Sequence, residues 1–188
     1  MAHIKSIDQH TLLQHCLHNK EWAQKELYDI HSAELYGLCT RYAVDTNEAK
    51  DILQEGFIKI FTYIKQYNST GSLIGWMKKI MVHTALNYIK KYRLNIIEDI
   101  ETATNNTINT NSTNSNTEVQ HILYAFMQLP YNYRVVVGLN VIDGYTYTEI
   151  SNHLQITENN CRIKIHRGKQ MLQALLTNNS TLKINNNG

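Results

Sequence analysis

A run rich in asparagine and threonine divides this chain into two short parts and thereby limits its fold. Residues 95–117 read NIIEDIETATNNTINTNSTNSNT and have neither helical nor alternating apolar periodicity. Such a segment buries too little apolar area to offset the conformational entropy lost on ordering. We therefore expect a flexible, mildly acidic linker at 95–117, between one domain at 1–94 and another at 118–188.

Both domains are predicted to be helical. Apolar residues recur at three- and four-residue steps throughout, and Pro130 is the only proline. Asp45 precedes Glu48, and Thr146 precedes Glu149, in the spacing of capping boxes that begin helices. The expected fold class is all-α, with two small helical domains joined by a flexible linker.

The cysteine pattern and the lack of long apolar runs bear on the compartment. Cys16, Cys39 and Cys161 are odd in number and lack CxxC spacing, which indicates reduced thiols in a cytoplasmic protein. No apolar run is long enough to cross a membrane, and the N-terminus lacks a signal peptide's apolar segment. We expect no membrane insertion.

The stretch at 76–93 (WMKKIMVHTALNYIKKYR) predicts a basic helix with a nucleic-acid-binding face. It carries five Lys or Arg and no Asp or Glu. Helical spacing places one set of residues inside: Met77, Met81, Ala85, Tyr88, Ile89 and Tyr92. It places another set outside, after Trp76: Lys79, His83, Asn87 and Lys90. Cations, polar tips and an aromatic ring suit phosphates and unstacked bases, although a Lys-rich solvated helix has the same composition.

The helix expected after Asp45 has an unusual outer face. Asp51 and Glu55 are like charges four residues apart, and Gln54 and the aliphatic Ile58 share their side. This mixture suits docking to a basic, partly apolar protein surface. The alternative is an ordinary surface on which Lys59 and Lys65 offset the charges.

A polar segment at 66–75 (QYNSTGSLIG) leads directly into Trp76. Beside a basic, aromatic-bearing helix, such a loop can wrap a base that has left its stack. A plain connector of this length is the alternative interpretation.

The second domain is predicted to contain a helix-turn-helix. The capping box at Thr146 opens a short helix, Gln155 to Thr157 form a turn, and Thr157 caps a final helix to about residue 176. Cys161, Ile165, Gly168 and Leu172 should point inward. Asn159, Ile163, His166, Arg167 and Gln170 should point outward, flanked by Arg162, Lys164 and Lys169. Such a face suits major-groove binding, and a helix-turn-helix used only for protein contacts is the alternative.

No catalytic or metal-binding constellation stands out. His15 and His18 share a helix side near Cys16, but no third or fourth ligand is close in sequence. The chain has no nucleophile–base pair, paired-carboxylate motif or phosphate-binding glycine loop. We expect no metal, no cofactor and no enzymatic activity.

The motifs resemble bacterial RNA polymerase sigma factors of the extracytoplasmic-function (ECF) group. DxxQExFxxxF followed by a polar loop, a tryptophan and a basic helix resembles conserved region two, and LPxxYRxV followed by a helix-turn-helix resembles region four. The residues that carry these motifs are Asp51, Gln54, Glu55, Phe57, Phe61, Trp76, Leu129, Pro130, Tyr133, Arg134 and Val136.

The resemblance implies partners and roles. The partners would be promoter DNA and core RNA polymerase, through its beta-prime clamp helices and beta flap, with an anti-sigma factor as a further candidate. Polymerase docking would fall to Asp51, Gln54, Glu55 and Ile58. The minus-ten element would be bound by Asn68, Ser69, Thr70, Trp76, Lys79, His83, Asn87, Lys90 and Lys91. The minus-thirty-five element would be bound by Thr157, Asn159, Asn160, Arg162, Ile163, His166 and Arg167.

Several positions depart from the family pattern. His83 stands where asparagine is usual, and Ile163 replaces a small polar residue. Gln155 replaces a turn glycine and would be strained at positive φ. Gly168 replaces alanine and would weaken the last helix by up to about 1 kcal/mol. The second functional hypothesis is a stand-alone helix-turn-helix regulator that binds an operator through its second domain only.

Overall fold

The computed structural model describes residues 8–68, 70–92 and 117–184, with side chains described only from 119 to 177 in the last range. The first part contains helices α1 (Gln9–Leu17), α2 (Glu21–Tyr42), α3 (Thr46–Tyr63) and α4 (Leu73–Tyr92), with a 3-10 turn at Ile64–Gln66. The predicted linker lies almost wholly outside the described residues.

The second part contains α5 (Thr117–Met127), α6 (Tyr131–Val137), α7 (Tyr147–Leu154) and α8 (Glu158–Ile184). A π-helical turn, Gly138–Ile142, extends α6. The described residues include no strand, and the predicted all-α class is confirmed. Helix α8 begins where the sequence predicted and extends beyond residue 176.

Helices α2, α3 and α4 pack together around a core of large aliphatic side chains. The α3 stripe of Ile52, Phe57 and Ile60 is buried as its spacing predicts. Gly56 allows close approach of α4, because a Cβ atom there would lie 2.2 Å from the Met81 sulfur. The face of α3 opposite this core therefore points to solvent.

Asp45 begins α3 as predicted, with a different partner for Glu48. The Asp45 carboxylate accepts hydrogen bonds from the amides of Asn47 and Glu48, at 2.8 and 2.9 Å. The Glu48 carboxylate reaches past the cap and accepts from the amide of Val44 at 2.7 Å. This pair fixes the turn between α2 and α3, so it sets the angle at which α3 leaves the α2 end.

In the second part, α6 and α8 pack closely at Gly168. A Cβ atom at this position would lie 2.6 Å from Val137 Cγ2 and 3.3 Å from Tyr133 Cβ. The glycine therefore permits a helix contact that alanine would obstruct, which compensates for its low helical propensity. Cys161 and Ile165 are buried on the same side of α8.

The two parts also pack against each other. The C-terminal end of α2 meets α6, and α4 meets α7. Gly138 faces Tyr42, where a Cβ atom would be 3.4 Å from the tyrosine oxygen. The buried apolar side chains of both parts consequently form one continuous cluster.

Candidate nucleic-acid and protein interfaces

The outer face of α3 displays the residues predicted to dock on a protein partner. Asp51, Gln54, Glu55 and Ile58 are all exposed, and Ile58 has 60% of its surface accessible. Lys59 pairs with Glu55 at 2.5 Å, so part of the acidic charge is offset within the helix. The described structure leaves this acidic and aliphatic patch uncovered.

The loop before α4 forms an open cavity of about 240 Å³. Asn68 Oδ1 accepts hydrogen bonds from Thr70, from the amide at 3.2 Å and from the hydroxyl at 2.6 Å. Tyr67 donates its hydroxyl proton to the Gly71 carbonyl at 2.6 Å. These local bonds hold the loop open around the cavity. The predicted contact residue Ser69 lies outside the described residues.

One wall of this cavity is aromatic and one edge is cationic. The rings of Tyr67 and Trp76 are 5.6 Å apart and tilted by 48°, and both line the cavity. Lys79, one helical turn after Trp76, also lines it and is exposed. A planar, electron-rich group that carries a phosphate finds a ring for stacking and an ammonium for charge in such a site.

The exposed side of α4 continues from this cavity. His83, Asn87 and Lys90 are exposed along it, as the helical spacing predicts. The Lys91 ammonium lies 4.8 Å from the centre of the Tyr92 ring. Tyr92 was predicted to pack inside and is 51% exposed, because the last turn of α4 extends beyond its packing partners. It therefore adds an aromatic ring to the basic end of α4.

His83 contacts the second part of the chain. Its ring centre lies 5.7 Å from that of His153 in α7 and 6.4 Å from that of Tyr145. Partial burial and the nearby His153 lower the pKa of His83, because both disfavour the imidazolium form. The minus-ten candidate face of α4 is thus partly engaged by the helix-turn-helix unit.

The helix-turn-helix geometry follows the predicted signals. The Thr146 and Glu149 side chains form a complete capping box at the start of α7. Gln155 adopts φ 55° and ψ 35°, the left-handed conformation expected for this turn. The Thr157 hydroxyl accepts from the amide of Asn160 at 3.1 Å and caps α8. Each predicted cap therefore lies at its predicted helix.

Helix α8 presents the predicted contact face, with one correction. Asn159, Ile163, His166 and Arg167 are exposed, whereas Asn160 is half-buried. Arg162 is exposed and pairs with Glu158 at 2.6 Å. Lys164, expected among the flanking surface cations, is fully buried, with its ammonium 5.9 Å from the Tyr133 ring centre. It lies three residues after Cys161, on the packed side of the helix.

The candidate metal site and membrane segment can be compared with the described residues. His15 packs its ring on Trp22, with ring centres 4.7 Å apart. Among the described residues, no group of three or more His, Cys, Asp or Glu is arranged to hold a metal ion. Across the same ranges no helix is long and apolar enough to span a membrane.

Family models match both units of the chain. The Sigma-70 region 2 model matches residues 27–94, and the Sigma-70, region 4 model matches residues 120–172, together more than half of the 188 residues. The chain belongs to the ECF group of sigma-70 family sigma factors. The resemblance found in the motifs is thereby confirmed, and the stand-alone regulator is not favoured, because the region-two match covers α2 to α4.

Individual relatives cover most of this sigma factor. ECF RNA polymerase sigma factor SigW of Bacillus subtilis is 28% identical over 80% of the chain and 87% of the relative. ECF sigma factor SigM of the same organism is 26% identical over 80% of the chain and 93% of the relative. The sigma factor RpoE, solved with the anti-sigma factor NepR from Bartonella quintana, covers 81% of this chain and 96% of that chain, with 16% identity and TM-score 0.48.

Sequence reasoning missed a group of residues that join the two units of this sigma factor. Arg134 and Tyr131 in α6, and Asp143 after the π-helical turn, bond to the end of α2. A signal was present, because Arg134 interrupts the otherwise uncharged helix YNYRVVV and is 1% exposed. A charge inside such a run requires buried partners.

Proposed function

We propose that this sigma factor binds core RNA polymerase through α3, opens and reads the minus-ten element through the α4 region, and binds the minus-thirty-five element through α8. The observation that carries the proposal is the open cavity beside Trp76 and Lys79 within the region-two match. Its ring, polar loop and cation combine the groups that hold an extruded base and its phosphate.

Docking on the polymerase clamp is assigned to the outer face of α3. Asp51 and Glu55 supply carboxylates, and the exposed Ile58 supplies an apolar centre. A basic, partly apolar surface on the beta-prime clamp helices is complementary to this patch. The beta flap would pack on the exposed apolar side of α5, formed by Val119, Ile122, Leu123 and Tyr124.

Minus-ten contacts are assigned to the cavity and the exposed side of α4. Trp76 would stack on one flipped base while Asn68 and Thr70 accept and donate hydrogen bonds at its edge. His83, Asn87, Lys90 and Lys91 would follow the strand toward the end of α4. Because these cations are solvated in the free protein, their contacts with phosphates should weaken with added salt.

Minus-thirty-five contacts are assigned to α8. Arg167 and Asn159 can bond to base edges in the major groove, and Ile163 can contact a thymine methyl group. Thr157, Asn160, Arg162 and His166 would complete this surface near the N-terminal part of the helix. Ile163 is 37% exposed, which is accessible enough for such a contact.

The protein itself would catalyse no reaction and would act in the cytoplasm, where chromosome and polymerase are present. An anti-sigma factor is a further candidate partner. Two weak DNA contacts on one polymerase-bound protein are sufficient, because tethering raises their combined affinity.

Reconstituted transcription tests the proposal. Purified protein and core RNA polymerase from the same source should yield discrete start sites that share an upstream motif on fragmented genomic DNA. Asp51→Arg should weaken core binding by at least roughly tenfold. Asp29→Arg, an equal charge change on exposed α2, is the matched control and should bind core normally. Specific starts without core dependence, or unchanged core affinity in Asp51→Arg, would contradict the assignments.

A further inference from the structure

A polar cluster at the end of α2 joins the region-two unit to the region-four unit. Arg134 donates hydrogen bonds to the carbonyls of Ala43 at 2.7 Å and Arg41 at 3.2 Å. The Tyr131 hydroxyl donates to the carbonyl of Tyr42 at 2.9 Å. All three acceptors lie at the C-terminal end of α2, where helix carbonyls have no partner within the helix.

A carboxylate from region four completes the cluster. Asp143 accepts a hydrogen bond from the Tyr42 hydroxyl, and its other oxygen lies 3.3 Å from the Arg41 guanidinium. Burial and the Asp143 carboxylate raise the pKa of Tyr42, which keeps its hydroxyl protonated as a donor. We name Arg41, Tyr42, Ala43, Tyr131, Arg134 and Asp143 the interdomain latch.

The latch brings the two DNA-binding helices into one compact body. His83 on α4 contacts His153 and Tyr145, which belong to the helix-turn-helix unit. A compact chain of this length is only about 40 Å across. The minus-ten and minus-thirty-five elements are separated by about 25 base pairs, which at 3.4 Å each is about 85 Å. The latched conformation therefore cannot occupy both elements.

We propose that the latch holds the free sigma factor in a closed, promoter-incompetent conformation, and that engagement of core polymerase separates the two units. The proposal rests on the function proposed above, because it concerns when the two DNA-binding surfaces become available together. It assigns a conformational role to Arg134 and Asp143, which lie outside the predicted contact surfaces.

The composition of the latch fits a contact that opens. Arg134 is almost fully buried, and desolvation lowers its pKa, so water would favour the released guanidinium. A buried charge gains little net stability after its desolvation cost. The clamp-docking face of α3 stays exposed in the closed conformation, so polymerase can bind region two before region four moves.

Distance measurement in the full chain tests the closed state. Fluorophores at Ala33→Cys and Gln173→Cys, both exposed positions, report the separation of the units. The native thiols are buried, and burial raises the pKa of Cys39 to about 12 and of Cys161 to about 11, so labelling favours the introduced sites. Energy transfer is recorded for the free protein and after addition of core polymerase and promoter.

We expect high energy transfer in the free protein and low transfer in the promoter complex. Asp143→Asn should raise the open fraction of the free protein roughly tenfold, as expected for losing a charged hydrogen-bond acceptor. Arg41→Met breaks the same pair from the region-two side and should act alike, which separates latch opening from misfolding of region four. Asp29→Asn removes an exposed carboxylate paired with Lys25 within α2 and should leave the transfer unchanged.

The outcomes separate the two proposals. Equal, low energy transfer in the free wild type and in Asp143→Asn would overturn the closed state even if transcription is specific. High transfer that persists in the promoter complex would also overturn it. A latch that responds to Asp143→Asn, with no specific transcription by any variant, would instead support the closed state and contradict the proposed function.

Discussion

The Arg134 guanidinium and the Ala43 carbonyl oxygen form a 2.7 Å hydrogen bond between residues 91 positions apart in the chain. Ala43 is the C-terminal cap of α2, where the helix dipole places partial negative charge. The cation therefore satisfies a helix end that belongs to the other sigma region. The stability of the free protein and the separation of its two units should depend on this contact.

Arg134→Lys should lower the free energy of unfolding by about 2 kcal/mol, because a lysine ammonium cannot reproduce the planar set of bonds to separate carbonyls. Urea denaturation followed by circular dichroism measures the change. Arg167→Lys, on the exposed face of α8, is the matched control and should shift stability by less than about 0.5 kcal/mol. Equal midpoints for the two variants would contradict the role of Arg134.

Gln155→Gly should stabilise the protein by about 0.5 kcal/mol, because glycine adopts the left-handed conformation at this turn without a Cβ penalty. Thermal unfolding detects the gain as a higher midpoint. The same substitution at Gln173, exposed within α8, should instead cost about 1 kcal/mol, the usual penalty for glycine in a helix. A lower midpoint for Gln155→Gly would count against strain at this position.

The closed form should lose stability as the pH falls below about 6.5, the ordinary histidine pKa. The pKa of His83 is lowered in the closed form, so the opened or unfolded chain binds more protons in this range. The loss ends below the lowered pKa. The surrounding groups are Lys79 on α4, Asp143 and Tyr145 in the loop, and Glu149 and His153 on α7.

Energy transfer between the two units, recorded from pH 8 to about pH 5, measures this dependence. His83→Asn should flatten the profile. His31→Asn is a suitable control, because burial also lowers the pKa of His31, which lies in α2. A profile that stays equally steep in His83→Asn would assign the pH dependence to other groups.

Arg167→Ala should weaken binding of the polymerase complex to promoters that carry the upstream element by roughly 5- to 150-fold, the range for one good bidentate base contact. Binding to a promoter with a scrambled upstream element should change little. Lys25→Ala, in α2, serves as the control for loss of one cation. An equal loss on both promoters would assign Arg167 to phosphate rather than base contacts.

Local signals in the sequence predicted most of the helices because capping is a short-range effect. Asp45, Thr146 and Thr157 each cap the predicted helix. The exposed face of α3 also followed from spacing alone, since Asp51, Gln54 and Ile58 lie opposite a regular apolar stripe. These features need no knowledge of distant partners.

Features that depend on distant partners were not predictable in the same way. Lys164 has the helical phase of a packed residue, but its charge led to a surface assignment. The pairing of Asp143 with Arg41 joins residues far apart in sequence, and neither residue belongs to a local motif. Helical periodicity states which side of a helix packs, not which other helix it meets.

The contact between Gly168 and Val137 has a consequence for natural variation. Gly168→Ala alone would force its new methyl group against Val137 Cγ2, at 2.6 Å, and should be destabilising despite the better helix propensity of alanine. Val137→Ala would remove the obstructing methyl groups at the price of a small void. The two positions should therefore be epistatic, and lineages of this sigma factor should exchange them as a pair rather than one at a time.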